Sequence, residues 1–148
     1  MAYRMKFKRR REGLTNYRKR LRLLLSRKPR LVVRKSLQYI SAQCIVFDPR
    51  GDKTIVSATS KELKKLGWKH ACDTVPAAYL TGMLVGKRCL KKGIREVVLD
   101  IGLASSTRGA RVYALAKVLS MLDSKFLLVK KFFQAKKGLG ESILKEKA

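Results

Sequence analysis

Carboxylates, histidine and cysteine are all scarce in this chain of 148 residues. It holds 10 Asp plus Glu and a single histidine, His70. An RNA-processing nuclease with an RNase-H-like core needs clustered carboxylates to hold Mg²⁺. Here the acids are scattered, with Asp100 alone at the end of an apolar run. No nucleophile elbow for Ser-His-Asp chemistry and no P-loop signature occurs. Cys44, Cys72 and Cys89 are odd in number, widely spaced and without a C-x-x-C pair. That usage reads as free thiols in a reducing compartment. His70 and Cys72 form a His-x-Cys pair without the further ligands a zinc site needs, so no metal or cofactor is expected. Long apolar runs are missing too. The stretch Val75 to Val85 is broken by Thr81 and Gly82 and followed by Lys87 and Arg88, short of the ~20 apolar residues of a spanning helix. Met1 to Arg11 is basic with no apolar segment behind it, unlike a secretory signal. Neither a membrane nor a small-molecule substrate is expected as partner.

What the chain has in excess is positive charge. Its 36 Lys plus Arg against 10 acids give a formal net charge of +26. The hydrophobic share, 46%, is ordinary for a globular chain and too high for a wholly disordered one. A folded core therefore carries a surface that repels itself unless a large polyanion is bound. A DNA-compacting role fits the charge as well, but it does not require an α/β core.

Organisation along the chain follows from punctuation and periodicity. Residues 1–29 form a basic arm and short helix, residues 30–124 an α/β core, and residues 125–148 a lysine-rich C-terminal segment. The first 30 residues hold 13 Lys or Arg and one acid, Glu12. Met1 to Gly13 reads as an extended arm that orders on a partner. Thr15 or Asn16 caps a helix to about Ser26, with Leu21, Leu24 and Leu25 on one face, and Pro29 ends it. Leu31 to Lys35, Ile40 to Asp48 and Thr54 to Ala58 read as an antiparallel meander, turning at Pro49-Arg50-Gly51-Asp52. Asp48 and Asp52 read as turn-formers. Ser60-Lys61-Glu62-Leu63 starts a short helix that ends near Gly67. A long helix runs from about Thr74 to Lys92, with Pro76 in its first turn. Ala78, Gly82, Gly86 and Cys89 make a small-residue ridge on it that permits close approach of a neighbour. Ile94 to Ile101 is a buried strand, and a second helix runs from about Gly109 to Leu122 with Val112, Leu115, Ala116, Leu119 and Leu122 inward. The order β-β-β-α-β-α implies a mixed sheet with packed helices. Phe126 to Val129 reads as a last strand and Glu141 to Lys147 as a fraying helix.

The candidate contacts for nucleic acid lie mostly at the N-terminal end. Lys6, Lys8, Arg9, Arg10 and Arg11 form a dense run. A solvated or nuclear-targeting stretch has the same composition, but Tyr3, Phe7 and Tyr17 interleave with the charges, and aromatic rings stack on unpaired bases. Arg18, Arg20, Arg22, Arg27 and Lys28 continue the run, with Lys19 on the same helix. Arg30, Arg34 and Lys35 sit on and beside the first strand, with Arg50 and Lys53 at the hairpin. Arg108-Gly109-Ala110-Arg111 opens the later helix, where backbone N–H groups and two arginines suit a phosphate; incidental charge at a helix start explains the same residues. Lys136-Lys137-Gly138-Leu139-Gly140 reads as a flexible loop or a weak phosphate nest.

Several strings, taken in order, point to a family. They are Tyr17-Arg18-x-Arg20-Leu21 and Lys28-Pro29-Arg30-Leu31-Val32-Val33-Arg34-Lys35-Ser36 with Gln43 downstream. Gly67-Trp68-Lys69, Ala77-Ala78-Tyr79-Leu80-Thr81-Gly82 and Gly86-Lys87-Arg88 follow, then Leu99-Asp100-Ile101-Gly102 and Gly109-Ala110-Arg111-Val112-Tyr113. Over about residues 5 to 120 the chain resembles ribosomal protein L-eighteen of the large subunit in its archaeal form, whose eukaryotic counterpart is ribosomal protein L-five. The resemblance implies a non-enzymatic α/β constituent of the large ribosomal subunit, in the cytoplasm. It implies binding to 5S rRNA, contact of the basic segment with 23S rRNA, and a place among neighbouring proteins of the central protuberance. Carried over by position, Lys8 to Arg11, Tyr17, Arg18, Arg20, Arg30 and Arg34 are RNA contacts, and Arg108 and Arg111 match the glycine-arginine motif. After about Ser120 the lysine-rich ending departs from the family pattern.

Overall fold

A computed structural model of the chain describes residues 5–122 and the backbone of the short strand Leu127–Leu128. The elements in chain order are α1 (Lys8–Arg11), α2 (Tyr17–Leu24), β1 (Arg30–Lys35), β2 (Ile40–Val46) and β3 (Lys53–Thr59). Then follow α3 (Lys61–Lys65), α4 (Val75–Lys91), β4 (Glu96–Asp100), α5 (Arg111–Leu122) and β5 (Leu127–Leu128). The sheet order is β3-β2-β1-β4-β5. β1 pairs antiparallel with β2 and parallel with β4, and β2 pairs antiparallel with β3. The expected mixed sheet is therefore present. β5 pairs parallel with Glu96 and Val97, inside the stretch expected as a last strand. The lysine-glycine loop and the C-terminal helix expected at residues 136–147 lie outside the described residues.

Alternation decides which sheet face is covered. Leu31 and Val33 of β1, Ile40, Ala42 and Cys44 of β2, and Val56 and Ala58 of β3 are buried in one cluster with Ala78, Val85 and Cys89 of α4 and Val112, Leu115 and Leu119 of α5. The opposite face carries Arg30, Val32 and Arg34 of β1 with Ser41, Gln43 and Ile45 of β2. Cys44 and Cys89 are free thiols in the cluster. The hydrogen bond to Cys89, helped by burial, pushes the Cys44 thiol well above its ordinary range, so Cys44 stays a protonated packing group.

Gly82 and Gly86 of the small-residue ridge of α4 pack on α5, while Cys89 meets Cys44 of β2. A Cβ at Gly82 would stand 2.7 Å from the backbone oxygen of Leu115, and one at Gly86 would stand 2.8 Å from Cδ2 of Leu119. The two helices approach as closely as they do because neither position carries a side chain.

Two local expectations are corrected. Ser60 does precede α3, but its hydroxyl accepts from the Ile40 N–H at 3.0 Å and makes no cap bond within the helix. Glu62 takes the Thr59 N–H instead, at 2.9 Å, while its other oxygen pairs with Arg88 of α4 at 2.6 Å. The Arg88 hydrogen bond is the main reason the Glu62 carboxyl is held below its ordinary value. A carboxyl lowered in the fold stabilises it above its ordinary titration range, and that contribution disappears as pH falls through the lowered value. Glu62→Gln is therefore expected to flatten the acid limb of a stability-against-pH curve. The change should stay within about 1 kcal/mol because the pair is partly solvated. Melting curves between neutral and acid pH check it.

The second correction concerns the N-terminal end. Lys8–Arg11 forms one helical turn where an extended arm is expected, with the Arg10 and Arg11 N–H groups donating to the Phe7 oxygen. In α2, Asn16 is the cap, accepting from the Lys19 N–H at 3.1 Å. The inward residue is Leu23, whereas Leu21 and Leu25 are 62% and 73% exposed. An eight-residue helix with one buried residue inserts one side chain rather than a stripe.

Candidate nucleic-acid interface

α2 lies beside the sheet face that α4 and α5 leave uncovered, and a groove of about 500 Å³ runs between them. Its walls carry Arg9 and Lys19 with Arg20 of α2, Arg30 and Arg34 with Lys35 of β1, and the turn that follows β4. Six cations thus converge on one concavity. Lys19 is the one that the candidate set above does not include; its signal was its place on the polar side of the same helix as Arg18 and Arg20.

Two acids hold this arrangement together. Asp52, expected as a turn-former, reaches across the hairpin instead: its Oδ2 accepts from Arg30 Nη2 at 2.6 Å and from Arg20 Nη2 at 2.8 Å. Asp100, at the end of β4, pairs with Arg30 Nη1 at 3.3 Å and Arg34 Nη2 at 3.5 Å, and accepts from the Gly102 N–H at 2.8 Å. Asp48 is the turn-former, accepting from Arg50 N–H at 3.1 Å. Its carboxyl is lowered chiefly by Lys53, which stands 2.9 Å away.

Arg30 is a correction. It was expected at the RNA surface, yet it is 3% exposed and clamped between Asp52 and Asp100. Its place beside the first strand is legible in the sequence; its burial under α2 and the β2–β3 turn is not. A guanidinium enclosed and shared by two carboxylates ties the hairpin to β4, and offers no charge to solvent.

The other candidates divide by what they touch. Lys6, Lys8, Arg9, Arg10 and Arg11 are all exposed, with Lys8 3.9 Å from Glu12 and Arg9 Nε donating to Thr15. Among the described residues, Lys6, Arg10, Arg11, Arg18, Arg22, Arg27 and Lys35 are exposed and enter no ion pair. Phe7 and Tyr17 are exposed beside them, and Tyr3 lies outside the described residues. Arg27 adopts φ 53° just beyond α2. Lys28 pairs with Glu96 at 2.6 Å. Arg108 and Arg111 stand apart from the groove, at the start of α5. Arg108 is exposed, while Arg111 Nη1 is bonded to the Asp73 backbone oxygen and reaches its carboxylate at 3.1 Å. His70 packs edge-on against Trp68. Among the described residues no three His, Cys, Asp or Glu side chains gather as metal ligands, and no helix is long and apolar enough to cross a membrane.

Because α1 buries no side chain, removing residues 1–13 is expected to weaken RNA binding while leaving the melting temperature nearly unchanged. Thermal unfolding and a binding titration on the shortened chain check both halves. A fall in melting temperature as large as that from a core cavity would show that the segment is structural.

Residues 1–96 match the family model described as ribosomal large subunit proteins 60S L5, and 50S L18. The chain is 55% identical over 115 residues to large ribosomal subunit protein uL18 of Methanothrix thermoacetophila, an alignment covering 78% of this chain and 68% of that one. It is 53% identical over 115 residues to the protein of the same name from Methanococcus maripaludis, of whose length it covers 60%. A match over most of the described fold, at more than half identity, shows that the chain belongs to the family of large-subunit ribosomal proteins 60S L5 and 50S L18.

Proposed function

We propose that the chain binds 5S rRNA, contacts 23S rRNA through its basic N-terminal segment, and helps attach 5S rRNA in the central protuberance of the cytoplasmic large ribosomal subunit. The observation that carries this reading is the groove between α2 and β1, where cations of three segments face one concavity and unpaired arginines continue along α1 and α2. Residues 1–29 act as the RNA-binding arm on the core of residues 30–124. The contacts are Lys6, Lys8, Arg9, Arg10, Arg11, Tyr17, Arg18, Arg20, Arg22, Arg27, Lys28, Arg34 and Lys35, with Arg108 and Arg111 as a separate phosphate contact. Arg30 supports the groove from within. Family membership supports the choice of rRNA over other polyanions. The role is structural: the two acids at the groove are both taken by arginines, which is the reverse of the open carboxylate cluster a Mg²⁺-dependent nuclease requires.

A binding titration tests the reading. The purified chain should prefer 5S rRNA to an unrelated structured RNA of equal length. Neutralising ~6–10 phosphates should lower the affinity about 10³–10⁵-fold between 50 and 200 mM salt on the duplex-DNA scale, with a shallower slope where the RNA is single-stranded. Equal binding of both RNAs at physiological salt would overturn it.

A further inference from the structure

Arg34 carries more hydrogen bonds than any other cation of the groove. Its Nη1 donates to the backbone oxygens of Val33 and Asp100, each at 2.9 Å, and its Nη2 faces Asp100 Oδ1 at 3.5 Å. The side chain is nevertheless 49% exposed. A guanidinium has five N–H donors in a fixed plane, and these contacts occupy both on Nη1 and one on Nη2. The donors left over are Nε–H and the second Nη2–H, which meet no acceptor among the described residues. They lie parallel along one edge of the plane, the edge with which arginine grips two oxygens of a phosphate at once.

The support beneath this side chain is specific. Gly102 sits at φ +62°, and a Cβ there would stand 2.8 Å from Arg34 Cζ and 3.0 Å from both Nη atoms. The Gly102 N–H also donates to Asp100 Oδ1 at 2.8 Å. One carboxylate is thereby aimed by the glycine and in turn aims the arginine. The absent side chain at 102 leaves room for the guanidinium to lie flat on the backbone.

We infer that Asp100 and Gly102 are positioning residues that hold Arg34 as a preset bidentate ligand for one backbone phosphate of the bound RNA. The inference rests on the RNA-binding reading above. Preorganisation matters here because arginine otherwise loses rotamer freedom on binding, and a side chain already fixed by its neighbours has lost it in the free protein. Lys35, next in the chain and without an ion pair, serves as a mobile point charge by contrast.

The test is a double-mutant cycle on the full chain, titrated with 5S rRNA and with an unrelated structured RNA at several salt concentrations, with melting followed in parallel. Arg34→Ala should lower the affinity about tenfold and reduce the salt slope by about one. Arg34→Lys should lose nearly as much, since it keeps the charge and loses the fork. Gly102→Ala should cost several-fold in affinity when Arg34 is present and nothing further when it is already alanine. An equal cost of Gly102→Ala in both backgrounds would show a merely structural glycine and overturn the inference, as would full binding by Arg34→Lys. If the unchanged protein fails to prefer 5S rRNA, the proposed function falls instead, and the coupling of residues 34 and 102 is still read on either RNA.

Discussion

Arg30→Ala is expected to destabilise the fold by about 3–5 kcal/mol, the range for stranding one member of a buried ion pair. Asp100 would keep Arg34 and the Gly102 N–H, and Asp52 would keep Arg20, so the lower end of that range is the better expectation. Arg30→Lys should recover part of the loss, because the charge returns without the fork that spans both carboxylates. The contrast with Lys35→Ala is the informative one. Lys35 is exposed and makes no ion pair among the described residues, so its loss should weaken RNA binding and leave melting unchanged. Urea denaturation of the variants measures the first effect, and an RNA titration the second. An Arg30→Ala chain that melts like the original would mean that the two acids do not depend on it.

Gly82→Leu should damage folding severely while altering no RNA contact directly. A Cβ at position 82 already falls 2.7 Å from the Leu115 oxygen and 3.1 Å from its Cα. Those atoms belong to the backbone of α5, so only separation of the helices relieves the contact. Overpacking of this kind costs ~1–3 kcal/mol and occasionally more, which for a domain of this size lowers the melting temperature by roughly 5–12 °C. Gly82→Ala should move the same way to a smaller extent. The gain in helix propensity from glycine to alanine, about 1 kcal/mol, offsets part of the cost. An unchanged melting curve for the leucine variant would contradict the α4–α5 packing.

The elements that local pattern specifies were legible. Alternation in Ile40 to Val46 and the Pro49-Arg50-Gly51-Asp52 turn mark the meander, and the four-, four- and three-residue spacing of Ala78, Gly82, Gly86 and Cys89 marks a helix face that a neighbour approaches closely, without saying which neighbour. Partnerships between distant residues were not. Arg30 and Asp100 are 70 positions apart, and nothing in the composition around either shows that they meet. Asp52 looks like a turn residue because it sits in a turn, yet its carboxylate points to two arginines outside it. Leu23 was hidden because periodicity on a short, arginine-rich helix favoured Leu21, Leu24 and Leu25 as a face. Which leucine enters the core depends on where the helix rests on the sheet. The basic character of the site was plain from charge alone, whereas its division into supporting and presenting arginines needed the acids in place.

Sequencing the RNA cross-linked to this chain in cell lysate tests the central claim most directly. The account predicts strong enrichment of 5S rRNA, accompanied by segments of 23S rRNA, with cross-linked peptides from the region of residues 6–35. Enrichment of messenger or transfer RNA without 5S rRNA, or cross-links confined to the far side of α4 and α5, would contradict it.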